Sequence, residues 1–392
     1  MQGFTSVIRI FIFIESFQEA HHEQHKDRDA LTALLKQTQT IYSNISHQIH
    51  WSAADSVCLD DFMHSKELPR DISNRIIKAT GSRALIDYVP SFLAYKAWQR
   101  TKAVYSFTPE FVEAMSQTAD SSIYISLLER LPFKDMLFFF PQEVLPMPNG
   151  EEIAGLFVHI ESHPEALWIV FNSLYRMQQN GSQVLPGIGI GFPVSNGMRI
   201  SQVFETPQFL EWLSSYKRSL LFFNQLNEQT IEELIFSEKR ALNAAINLLY
   251  YLSAKNADIR PVKRQKNRTS TNPHDDSVPA VKQYEVGAEY SEIVYRHLTE
   301  DIDSAEDDDG GNDEDVVDRT KKNGKKRRPH ARRAHWQHYW TGEGRTKLEL
   351  RWKSDLFVGA NRDDQAVIVY DVPKETLKGK RNPNTSKKKR GQ

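Results

Sequence analysis

The stretch "RPHARRAHWQHYWTGEGRTKLELRW", Arg328 to Trp352, gathers residue types that can do chemistry on phosphates. It holds three of the thirteen histidines and three of the seven tryptophans, set among arginines. Pro329 disfavours a helix at its start, while "TGEG" and the alternation in "TKLELRW" predict a β-hairpin with Leu348, Leu350 and Trp352 on one face. In a strand, His330, Arg332, Trp336, His338 and Trp340 share a face, opposite Arg333, His335 and Tyr339. Guanidinium groups beside flat rings suit phosphate contacts combined with base stacking, at about 1–3 kcal/mol per stacked base. Histidines with arginines can instead cleave RNA. One imidazole takes the 2′-hydroxyl proton, another protonates the leaving oxygen, and arginine stabilises the pentavalent phosphate. A third reading is a structural aromatic hairpin, and the residue types alone leave all three open.

Other clusters are weaker. "HHEQHK", His21 to Lys26, misses the zincin pattern because the second histidine should fall where Lys26 stands. "GIGIGF" lacks the third glycine of a dinucleotide fingerprint and is followed by Pro193, so it reads as a bend in a strand. "HIESH" puts His159, Glu161 and His163 on one side of a strand, as metal ligands or an acid/base pair need, or simply as a solvated edge. Nothing beside the single Cys58 activates it, and one cysteine builds no disulfide framework. The sequence thus predicts no metal and no cofactor.

These residues need a scaffold. "DRDALTALLKQTQTIYSNISHQI" spaces Leu31, Leu34, Leu35, Thr38, Ile41, Tyr42 and Ile45 along one helical face. "SRALIDYVPSFLAYKAWQRTKAVYSF" gives a second helix with Leu93, Ala97, Trp98, Thr101 and Tyr105 in line and Pro90 near its start. Thr108 and Pro109 are the start signals of a third. From "FKDMLFFF" to about Val194, short apolar runs broken by a turn at Pro148 to Gly150 predict a sheet. "EQTIEELIFSEKRALNAAINLLYYLSA" is a long helix, and "QAVIVYDV" a late strand.

The predicted class is α+β: a helical N-terminal part, a central mixed sheet, a long helix, a disordered acidic linker and a C-terminal basic and aromatic hairpin. Residues 1–130 form the mainly helical region, and 131–255 the sheet with long helices, packed with the first as one core. Residues 256–280 are a basic linker, 281–298 an ordered segment, and 299–328 an acidic-then-basic disordered linker. Residues 329–372 hold the hairpin and 373–392 a basic tail. The run "TEDIDSAEDDDGGNDEDVVD" carries eleven acids and almost no apolar residue. A net charge of −1 therefore hides separate acidic and basic blocks. "SVIRIFIFIESF", Ser6 to Phe17, is too short for a bilayer span and lacks the marks of a signal peptide, so a cytoplasmic protein without membrane attachment is expected.

The order Arg-Pro-His, Arg-Arg, His-Trp, Tyr-Trp, Gly, Arg-Trp and Phe-Val in "RPHARRAHWQHYWTGEGRTKLELRWKSDLFVG" resembles the C-terminal signature of the second family of type V-A anti-CRISPR proteins. "FLAYKAWQRTKAVYSF", "GLFVHIE", "AINLLYYLSA" and "YEVGAEYSEIVYR" extend the resemblance over about Leu93 to Gly359. It implies a mobile-element protein that recognises a nascent polypeptide and lowers its cognate mRNA, with that peptide, the mRNA or the ribosome as partners. The motif points to His330, Arg332, Arg333, His335, Trp336, Tyr339, Trp340, Arg351 and Trp352, of which the arginines and rings are the nucleic-acid candidates. Tyr95, Trp98, Thr101 and Tyr105 are the peptide-binding candidates. Ala334 stands where the family has glycine, Ser354 where it has proline, and a family histidine is replaced by Gln337 with His338 one place later. That shift moves a side chain to the other face of a strand and argues against an obligatory second catalytic histidine. The rivals are an RNA endonuclease using His330 and His335, and a non-catalytic protein- or RNA-binding module.

Overall fold

The computed structural model describes residues 29–47, 59, 67–80, 89–122, 124–162, 166–177, 184–187, 189–224, 226–254, 257–262, 281–292, 334–345, 347–353 and 367–371. Helices α1 (residues 29–47), α2 (Leu68–Thr80) and α3 (Val89–Thr101) come first. Strand β1 (Ala103–Phe107) follows, then α4 (Pro109–Gln117) and the single turn α5 (Ile125–Leu128). The sheet continues with β2 (Asp135–Phe139), β3 (Glu151–Ser162), β4 (Leu167–Met177), β5 (Val184–Pro186) and β6 (Ile190–Val194). After α6 (Ile200–Val203), α7 (Pro207–Asn224) and α8 (Glu228–Leu252) come β7 (Ile259–Pro261) and β8 (Lys282–Val286). The chain ends its described part with β9 (His335–Thr341), β10 (Lys347–Lys353) and β11 (Val367–Asp371).

The main sheet runs β5-β4-β3-β2-β1-β8-β7, with β6 also paired to β4. It is mixed, because β1 lies parallel to both β2 and β8 while the other pairs are antiparallel. Side chains alternate across a strand, so each strand feeds two cores. Tyr105, Phe138, Val158 and Phe171 enter one, shared with α4, α7 and α8. Val104, Leu137, Phe157 and Val170 enter the other, shared with α1, α2 and α3. Helices on both faces explain why β2 is buried at every position. The α+β class and central mixed sheet hold.

Local signals explain the joints. Thr108 is the extended N-cap of α4 with Pro109 following it, as the start signals predict. The turn at Pro148 to Gly150 joins β2 to β3, with Gly150 at φ +80°. The predicted second helix ends earlier than its apolar spacing suggests. It stops at Thr101, Lys102 takes φ 51°, and Tyr105 lies in β1. Val104, Tyr105 and Phe107 favour a pleated strand, and the three- and four-residue steps run on past the helix by coincidence. Residues 259–261, within the segment read as a linker, pair with β8 at the sheet edge. The acidic run, Ser6 to Phe17, His21 to Lys26, Cys58, His163 and the basic tail lie outside the described residues.

Candidate nucleic-acid interface

The predicted hairpin is present. Strands β9 and β10 pair antiparallel, with Trp352 opposite Trp336 and Lys353 opposite His335, and β11 adds a third strand beside β10. The turn uses Gly342 and Gly344 at φ 79° and 69°. Alternation gives the hairpin two faces of unlike chemistry.

The inner face is part of the main core. Trp336 is 5% and Trp352 3% exposed. Trp352 packs edge-on to Phe111 of α4 at 5.7 Å and lies near Tyr290 at 5.5 Å, and its indole N–H donates to Thr118 Oγ1 at 3.2 Å. Trp336 meets Tyr250 of α8 at 6.0 Å and donates to Asn247 Oδ1 at 3.0 Å. Asn247 is wholly buried and donates in turn to Met115 O at 3.3 Å and Asn243 O at 3.0 Å. Each buried polar atom here is satisfied, which is what lets polar groups sit in a core. Rings enclosed this way present no open face to a base.

The outer face carries the cations. The Arg351 guanidinium lies 5.2 Å and the Lys353 ammonium 5.9 Å from the Tyr339 ring centroid. Such contacts hold cations flat against an aromatic surface. Glu349 accepts from Arg351 Nε at 2.7 Å, fixing the guanidinium while compensating part of its charge. His335 and the exposed Gln337 belong to the same face, and Tyr339 donates to Gln337 Oε1 at 2.7 Å. Trp340, at the turn end, is 40% exposed. His330, Arg332 and Arg333 lie outside the described residues, as does the side chain of His338. The chain enters the hairpin at Ala334, whose carbonyl accepts Ala119 N–H at 2.7 Å.

The peptide candidates do not form one surface. Tyr95 and Trp98 are buried in the core under α3, with Trp98 donating to Ala103 O at 2.8 Å. Tyr105 is buried on the opposite side of the sheet and stacks on Tyr284 at 5.1 Å. Thr101 Oγ1 donates to Asp135 O at 2.6 Å and ties α3 to β2. His159 is no solvated edge residue: it is buried, with Nδ1 2.6 Å from Asp135 Oδ1, and Arg100 reaches the other carboxylate oxygen at 3.1 Å. Among the described residues no His, Cys, Asp and Glu cluster could hold a metal ion. No described helix is long and apolar enough to cross a membrane.

A groove that the sequence reading missed lies at the root of the hairpin. It has a volume of about 520 Å³ and is lined by Thr118, Ala119, Ser201, Phe204, Phe236 and Lys239, among others. Phe236 is 70% exposed on its rim, while the Lys239 ammonium sits 6.0 and 5.7 Å from the Phe204 and Phe209 rings. The signal was present in "EELIFSEKR", where one phenylalanine interrupts the polar face of α8.

The model of the AcrVA2-like family, described as anti-CRISPR type V subtype A2, matches residues 105–360. That is more than half of the chain. The chain belongs to this anti-CRISPR family. The crystal structure of AcrVA2 is similar at 14% identity, covering 89% of this chain and 97% of that one, with a TM-score of 0.38. No curated protein matches. Within the family match, β9 and β10 carry His335, Trp336, Tyr339, Trp340, Arg351 and Trp352 of the signature, and the structure buries Trp336 and Trp352 while Tyr339 and Arg351 lie on the other face.

Proposed function

We propose that this member of the AcrVA2-like family recognises a nascent polypeptide and lowers its cognate mRNA, with the outer face of the hairpin as the contact to RNA or the ribosome. The observation that carries the reading is the outer face itself: Arg351 and Lys353 held against the Tyr339 ring, opposite two tryptophans committed to the core. A planar ring flanked by cations offers stacking and phosphate neutralisation together, as single-strand binders do. The basic run ending at Arg333 directly precedes Ala334 in the sequence. The groove carrying Phe236 and Lys239 is the surface assigned to the polypeptide.

The test is made in cells that also express a type V-A effector nuclease. Effector mRNA and ribosome-bound protein are measured with the wild-type chain and with the double variant Tyr339→Ala/Lys353→Ala. The expected result is a drop in the effector transcript with the wild type and little or none with the variant at equal protein level. An unchanged transcript with the wild type, or an equal drop with the variant, overturns the reading. RNA cleavage by purified protein that is lost in His335→Ala would establish a nuclease in its place.

A further inference from the structure

Helix α8 carries Phe236 and Lys239 on the groove side, yet Glu238 between them points inward and is 3% exposed. Its carboxyl lies against β4 and α7. The Tyr175 hydroxyl of β4 hydrogen-bonds Glu238, and Tyr216 of α7 faces the same pair. The remaining charged group facing it is Glu151 at the start of β3. Neighbouring cations are engaged elsewhere: Arg176 with Glu152, Lys217 with Glu232, and Arg240 with Glu113. Among the described residues Glu238 makes no ion pair, so its partners are phenols and another carboxylate.

A buried carboxyl among neutral hydroxyls and a like charge is far better accommodated protonated than ionised. Burial, opposed by the Tyr175 hydrogen bond and aided by Glu151, pushes Glu238 up to about 7. Through Tyr216 the cluster reaches α7, whose first turn packs Phe209 on the groove residue Phe204 at 5.1 Å.

We propose that Glu238 is a proton-operated latch, which when protonated closes α7 onto α8 and β4 and when ionised loosens α7 and the groove wall it supports. On opening, the carboxyl O–H bond breaks and the proton passes to solvent water. In the unfolded chain the group titrates near 4.5, so the folded chain holds an extra proton between that value and about 7. Its stabilising contribution is complete below this window, declines across it as pH rises, and is gone above it.

The difference in Tm between wild type and Glu238→Gln, followed from about pH 5 to about pH 8.5, reads this directly. Glutamine keeps a neutral acceptor for Tyr175 and cannot ionise. The two proteins should melt together at the acid end, with the variant about 2–4 °C higher at the alkaline end. Amide exchange in α7, corrected for its chemical rate, should rise about threefold or more over the same range in the wild type and stay flat in the variant. A constant Tm offset at every pH, or flat exchange in the wild type, overturns the latch. Should the variant not fold, the infrared band of a protonated carboxyl in the wild type decides: loss centred near pH 7 supports the latch, and loss complete by about pH 5.5 refutes it.

Discussion

The two faces of the β9–β10 hairpin come from the same short stretch and differ sharply in what surrounds them. Inward, Trp336 and Trp352 meet Phe111, Tyr250, Tyr251 and Tyr290, with each indole N–H on a named acceptor. Outward, Tyr339 lies under Arg351 and Lys353. A family signature is therefore a mixture. Part of it holds the hairpin onto α4 and α8, and part of it faces away from them. Residue type does not separate them; the parity of the strand position does so near α4 and α8, while Trp340, of the same parity as Trp336, lies exposed at the turn.

The comparison breaks first on stability. Trp336→Ala should cost about 3–5 kcal/mol in urea unfolding, whereas Trp340→Ala at the exposed turn end should cost under about 1 kcal/mol. Equal losses would erase the distinction between faces. Next in size is Gly287→Ala. Gly287 stands at φ +86°, and an added Cβ would meet Phe111 side-chain atoms at 2.6 Å, behind the Trp352 site. About 1–3 kcal/mol of destabilisation is expected by thermal unfolding. Asn247→Leu keeps the branched shape but strands the Trp336 N–H, while Met115 O retains the Thr118 N–H, so about 1–3 kcal/mol should be lost, and much less in a Trp336→Phe background. The smallest stability effect belongs outside: Tyr339→Ala/Lys353→Ala should stay within about 1 kcal/mol of wild type.

Much of this was legible. The hairpin, its turn glycines, the Thr108 cap and the central sheet follow from alternation and start signals. The family signature also marked the stretch that forms the hairpin. What stayed hidden was long-range. β8 lies parallel to β1 with Tyr284 beside Tyr105, a pairing between residues far apart in sequence that no local pattern encodes. Trp336 and Trp340 share a strand face by parity, yet one is sealed under Tyr250 while the other reaches past the core at the turn. Tyr95, Trp98 and Tyr105, peptide candidates by resemblance, are split between the two cores, and their types alone gave no sign of it because aromatic rings suit binding and cores alike. One clue was available: Asn247 stands inside the apolar run "AINLLYYL", and a buried amide in such a helix needs a partner, which is Trp336.

The most direct test is RNA affinity of the purified chain across a salt series, comparing wild type with Tyr339→Ala/Lys353→Ala and with Trp340→Ala. The account predicts salt-dependent binding in the wild type. In the double variant, affinity should fall about tenfold or more, and the salt slope should shrink by about 0.7 for one lost single-strand phosphate contact. Unchanged affinity and slope in the folded double variant, or no RNA binding by the wild type, would contradict the outer face as the nucleic-acid contact.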